Sequence, residues 1–68
     1  MFRIENCEII HVNKKDGVVT AVLVESTLFD EPEWIPYSVI HDNSEVYEEG
    51  DEGDMIIKEW FAKKKGWV

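Results

Sequence analysis

The chain has 68 residues, with 15 Asp or Glu against 7 Lys or Arg, a formal net charge of −8 and a 44% apolar share. That length makes one domain, spanning 1–68, which buries only roughly 60% of the surface its unfolded chain would expose. A lone Cys7 excludes an intramolecular disulfide, no Cys/His set has zinc-finger spacing, and no apolar run approaches the ~20 residues of a membrane span.

Taken in chain order, Phe2 to Asn13 reads as a strand whose apolar positions change phase. Phe2 and Ile4 share one parity, Cys7 and Ile9 the other, and Ile10 and Val12 return to the first, which predicts a bulge near Glu5–Cys7. Asn13-Lys14-Lys15-Asp16-Gly17 is a hairpin turn, with Gly17 suited to positive φ. Val18 to Glu25 is β-branched and apolar at both parities, the pattern of a central strand covered on both faces. Ser26 to Glu33 is an acidic connection through Pro32. An extended stretch resumes at Glu33-Trp34-Ile35 and stops at Pro36, which has no ladder donor.

Tyr37 to His41 fits either a turn of helix or a further strand. An acidic loop follows from Asp42 to Gly53, with Gly50 and Gly53 marking turns. Asp54 to Lys58 carries Met55-Ile56-Ile57 and reads as a strand. Glu59 to Lys65 is one short helix, with lysines where the macrodipole favours cations and Gly66 at the left-handed position beyond. The fold class expected is mainly β with one C-terminal helix, a four- to five-stranded SH3-like or OB-like barrel. Trp34, Ile57 and Trp60 are expected in its core, with Val22 and either Ile10 or Val12. Trp67 is placed to fold back on the helix or barrel.

Charge is the most informative global feature. No Lys or Arg occurs between Asp16 and Asp54, where most of the acids fall; the bases sit at the ends, as Arg3, Lys14, Lys15, Lys58 and Lys63-Lys64-Lys65. A field of this sign repels phosphate backbones and favours basic partners or divalent cations. Acidity also serves solubility alone.

No catalytic constellation emerges. Cys7 with His11 or His41 has the residue types of a nucleophile and base, but residues 7 and 11 lie roughly 13 Å apart on a strand and no third orienting group is evident, so a buried structural Cys7 is expected. The acidic loop offers hard oxygen ligands, yet counting from Asp42 the sixth residue is Tyr47 and the twelfth Gly53, where a calcium loop needs Gly and Glu. No carboxylate pair is set in an apolar pocket, and no glycine-rich phosphate loop is present. Neither a metal nor a cofactor is expected. Trp34, Tyr37, Trp60 and Trp67 have the chemistry to stack nucleobases, but the basic groove that accompanies such platforms is missing, so core packing is expected of Trp34 and Trp60.

Trp34-Ile35-Pro36-Tyr37-Ser38-Val39-Ile40-His41-Asp42, with Ser44-Glu45-Val46, Gly50-Asp51-Glu52-Gly53 and Glu59-Trp60-Phe61-Ala62-Lys63-Lys64-Lys65-Gly66-Trp67, resembles a family of short phage and prophage proteins. The preceding Ala21-Val22-Leu23-Val24 belongs to the shared pattern, so the resemblance spans nearly the whole chain. In that family the motif runs Trp-Ile-Pro-Lys-Ser; here Tyr37 replaces the base, which weakens a phosphate contact at that position. The resemblance implies origin in a mobile element and no particular chemistry.

The leading expectation is a non-enzymatic accessory protein that binds a basic protein surface through Glu45, Glu48, Glu49, Asp51, Glu52 and Asp54, with Tyr37 as an aromatic anchor. A host defence or nucleic-acid-processing enzyme has the required positive groove. The alternative is a nucleic-acid-binding barrel using exposed aromatics and the C-terminal lysines; a third is self-association through Trp67 or an open strand edge. A charged N-terminus, Met1-Phe2-Arg3-Ile4-Glu5, and one free thiol point to the cytoplasm, the host cytosol for a phage product.

Overall fold

The computed structural model describes residues 1–44, 46 and 48–68. Four strands, β1 (Phe2–Lys15), β2 (Val18–Glu25), β3 (Glu33–Pro36) and β4 (Glu52–Ile57), form one antiparallel sheet in the order β3-β2-β1-β4. A 3₁₀ turn over Tyr37–Val39 follows β3, and helix α1 (Glu59–Lys65) closes the chain. The mainly β expectation with one C-terminal helix therefore holds, and the ladders among the described residues make an open sheet.

The long first strand serves two partners because it is rephased twice. Its pairing with β4 shifts between Ile4 and Cys7, where Asn6 takes φ +52°, and its pairing with β2 shifts between Ile9 and His11. Each bulge adds one residue, so Ile4, Cys7 and Ile9 all reach the core despite their odd spacing. Asp54 pins the first bulge from the facing strand: one carboxylate oxygen accepts from the Asn6 amide at 3.2 Å, the other from Arg3 at 2.9 Å. At the hairpin, Asp16 and Gly17 have φ of +53° and +81°, as a two-residue type I′ loop requires.

One face of the sheet holds the core. Val22 and Val24, Ile35, Met55 and Ile57 point into it, and Val39, Val46, Phe61 and Ala62 cover them. Three core expectations change. Trp34 is 46% exposed and Trp60 57% exposed, and Ile9 replaces Ile10 and Val12, which are only half-buried. In β3 the alternation gives Ile35 to the core and turns Trp34 outward. On α1, Phe61 and Ala62 take the inward stripe, leaving Trp60 an edge contact with Phe61 at 5.9 Å between ring centroids. Strand β2 is interior in the sheet order but fully buried on one face and only partly covered on the other, with Val18 exposed beside the hairpin turn.

Tyr37 to His41 resolves as the 3₁₀ turn followed by a single antiparallel bridge, Ile40 to Ile57. This passage occupies the outer edge of β4. His41 N donates to Ile56 O at 2.7 Å and Lys58 N to Val39 O at 2.9 Å. The buried Ser44 hydroxyl accepts from Ile56 N at 2.8 Å and donates to Ile56 O at 2.9 Å, a side chain standing in for a strand neighbour.

Helix α1 stops at Gly66, φ +80°, with Gly66 N bonded to Lys63 O and Trp67 N to Ala62 O. That pair of bonds is the Schellman arrangement, and it turns Trp67 back onto the domain. Trp67 packs 4.6 Å from Phe29, 5.9 Å from Phe61 and 6.5 Å from Phe2, measured between ring centroids. The expected return of Trp67 is thus realised by an aromatic cluster joining both ends of the chain.

Three substitutions test this arrangement in urea melts. Ile57→Ala should lose about 2–5 kcal/mol, the usual cost of emptying a fully buried aliphatic site, whereas Trp60→Ala should lose about 1 kcal/mol or less. Ser44→Ala should cost about 1–3 kcal/mol by leaving the Ile56 amide unpaired, while the Ile56 carbonyl keeps its bond from His41 N.

Candidate functional site

On the solvent face of the sheet, the register aligns three carboxylates. Glu8 of β1 pairs with Glu25 of β2 on one side and with Glu52 of β4 on the other. Directly opposed residues share a face, and neighbouring strands lie about 4.8 Å apart, so the row crosses roughly 10 Å of sheet. All three are exposed and line one shallow hollow of about 470 Å³, together with Asn6, Cys7, Ser26, Thr27 and Gly53. Among the described residues none of the three has an ion-pair partner.

The hollow's walls are held by structural bonds. The Cys7 thiol donates to Gly53 O at 3.2 Å, and Ser26 Oγ donates to Glu5 O at 3.1 Å while accepting from Leu28 N at 3.2 Å. Cys7 is accordingly a buried structural thiol, 1% exposed.

Of the residues singled out from sequence, Glu52 alone joins this row. Glu48 and Glu49 are exposed on a turn, where Glu49 lies 3.5 Å from His11 Nδ1. Asp51 closes that turn: its carboxylate accepts from Glu48 N at 2.9 Å, and its amide donates to Glu48 O at 3.0 Å. The turn is fastened to β1 through Gly50 N to Ile9 O at 2.8 Å and Ile9 N to Asp51 O at 3.0 Å. Asp54 is engaged with Arg3 and the Asn6 bulge, so both Asp51 and Asp54 serve the fold. Tyr37, 39% exposed, belongs to the 3₁₀ turn after β3, while the acids lie on the β4 side. Glu45 lies outside the described residues.

Sequence reasoning passed over Glu8 and Glu25, which are 17 positions apart on different strands. Counting back across the Asp16-Gly17 turn pairs Glu8 with Glu25 directly, because the extra residue Ile10 on β1 is offset by the extra residue Thr20 on β2. The acid-rich stretch stands out by proximity in sequence, whereas Glu52 joins Glu8 only through the shifted pairing of β1 with β4.

Chemically, the row is a cation-attracting strip, and the Cys7 thiol and Ser26 hydroxyl beside it are engaged in the bonds that hold the hollow's walls. Among the described residues no group of three or more His, Cys, Asp or Glu is placed to hold a metal ion. The C-terminal lysines are partly spent: Lys63 meets Glu59 at 3.3 Å and Lys65 meets Glu33 at 3.0 Å. No helix among the described residues is long and apolar enough to cross a membrane. No protein-family model, curated protein or solved structure matches the chain.

Like charges directly opposite on neighbouring strands destabilise a sheet by about 0.2–1 kcal/mol per pair. Glu8→Gln relieves two such pairs and should therefore raise stability by a few tenths to about 1 kcal/mol. In a thermal melt the gain should shrink at high salt, where the Debye length falls to roughly 3 Å.

Proposed function

We propose that the chain is a non-enzymatic accessory protein of phage type that binds a protein partner through its acidic surface. The observation that carries this reading is the in-register row Glu25–Glu8–Glu52, three carboxylates on adjacent strands with no ion-pair partner among the described residues, at a net charge of −8. Such a row burdens the fold and is relieved by a cationic partner. Glu48 and Glu49 extend the negative field along the β4 side. A host defence or nucleic-acid-processing enzyme, with its positive groove, has the complementary chemistry, and capping that groove would inhibit it in the cytosol. The phage assignment rests on the resemblance carried by Trp34 to Asp42 and Glu59 to Trp67. An SH3-like barrel closure is part of the same proposal, supported by the 3₁₀ turn after β3 and the Ile40–Ile57 bridge.

One observation favours a second reading. Trp34, Trp60 and Tyr37 are all substantially exposed, as a nucleic-acid platform would need, although two of the three C-terminal lysines face carboxylates.

The two readings separate on salt and ligand. With a lysine-rich peptide as probe, the parent should associate rapidly at low salt and much more slowly at 1 M, where charges are screened beyond roughly 3 Å. The triple variant Glu8→Gln, Glu25→Gln, Glu52→Gln should lose most of that salt dependence while staying folded. Single-stranded oligonucleotide should bind poorly to both. Tight oligonucleotide binding by the parent, lost on changing Lys63 to Lys65 or Tyr37, would establish the second reading instead.

A further inference from the structure

The solvent face of the sheet carries a second row beside the acidic one. Trp34 of β3 pairs with Leu23 of β2, and Leu23 with His11 of β1, where the extra residue Ile10 is inserted. The His11 ring meets the Trp34 ring edge-on, 6.0 Å between centroids at 81°, so the row is continuous across three strands. Ile10 and Leu23 are half-buried yet stand outside the core cluster, which places their partial cover on this outer face. Pro36 and Ala21, paired with each other, extend the apolar surface by one further row.

The two rows have a fixed relation. Leu23 and Glu25 are two residues apart on β2, so the apolar strip and the carboxylate strip run parallel, roughly 7 Å apart, each crossing roughly 10 Å of sheet. An aromatic anchor beside a row of opposite charge is the arrangement by which a sheet face recognises a two-sided ligand.

Resting on the reading that the acidic surface binds a protein, we infer that its partner presents a basic amphipathic segment. Its apolar side chains would cover Trp34, Leu23 and Ile10, and a flanking line of Lys or Arg would meet Glu25, Glu8 and Glu52. Charge complementarity selects this occupant. A second copy of the chain would bring a further net charge of −8 against the same face, and a nucleic acid would set phosphates against the carboxylate row. Trp34 is the specificity element: it distinguishes an ordered amphipathic ligand from any polycation, which the carboxylates alone would accept.

The test uses the full chain and two peptides of identical Leu and Lys composition, each about four helical turns long. One peptide is ordered so that Leu and Lys occupy separate faces, and the other is scrambled. Calorimetry should show the ordered peptide binding about tenfold or more tighter than the scrambled one. Trp34→Ser, and separately Leu23→Thr, should remove that preference while leaving the scrambled peptide's affinity unchanged. Amide chemical shifts induced by the ordered peptide should map to Ile10, Leu23 and Trp34. The Glu8→Gln, Glu25→Gln, Glu52→Gln variant should weaken both peptides. Equal affinity for the two peptides, insensitive to Trp34→Ser, would overturn this inference and leave the acidic-surface reading standing. Failure of both peptides to bind at low salt would overturn both. Dimerisation of the parent, or oligonucleotide binding, that disappears in Trp34→Ser would assign the face to that occupant and equally refute the inference.

Discussion

Asn6 stands at φ +52° in the middle of a strand, and much of the domain follows from that one local conformation. Asn adopts left-handed backbone at lower cost than most residues. Here the Asp54 carboxylate accepts its amide proton, so the facing strand stabilises the bulge. Without the inserted residue, Ile4 and Cys7 would lie on opposite faces of β1, and the β4 half of the core would lose its match to the β2 half. The second insertion at Ile10 does the same for Ile9 and Val12. One strand thereby pairs with two neighbours, keeps a single buried face and hands its other face to solvent.

That other face carries the chemistry. Two constraints meet there: apolar side chains left out of the core, and carboxylates opposed across the ladders. Neither improves folding. Like charges in register repel, and half-covered Trp34 leaves aromatic surface in water. A domain this small has little stability to spare, so features that work against it are more informative about binding than the buried side chains that sustain it. The acids of the Glu48–Asp51 turn and Asp54 differ in kind. Asp51 closes the turn, Asp54 pins the bulge and holds Arg3, and the charge of these two is partly structural.

The C-terminus supplies what a four-stranded sheet lacks. Helix α1 covers the core with Phe61 and Ala62, the Schellman turn at Gly66 reverses the chain, and Trp67 joins Phe2 and Phe29. The last residues thus hold the first strand and the connection before β3 together. The Lys65–Glu33 pair lies beside this cluster, partly shielded, and ties the helix to the start of β3. Self-association through Trp67 would require it to leave these contacts.

By itself the sequence determined whatever depends on neighbouring residues. The Asp16-Gly17 hairpin, the strand at Trp34-Ile35, the extent of α1 and its glycine stop were legible because turn chemistry, alternation and capping act over a few positions. Even the bulge near Cys7 showed, as a break in apolar parity. Tertiary structure alone decided which of two apolar neighbours turns inward: Ile35 over Trp34, Phe61 over Trp60. Side-chain size suggested the tryptophans for the core, but alternation and helical phase gave those places to smaller residues. It also decided that Glu8, Glu25 and Glu52 form one row beside Trp34 and Leu23. Glu8 and Glu25 are related by the hairpin, but Glu52 and Trp34 join them only through the pairings of β4 and β3, and the insertion between Ile4 and Cys7 shifts the β4 register.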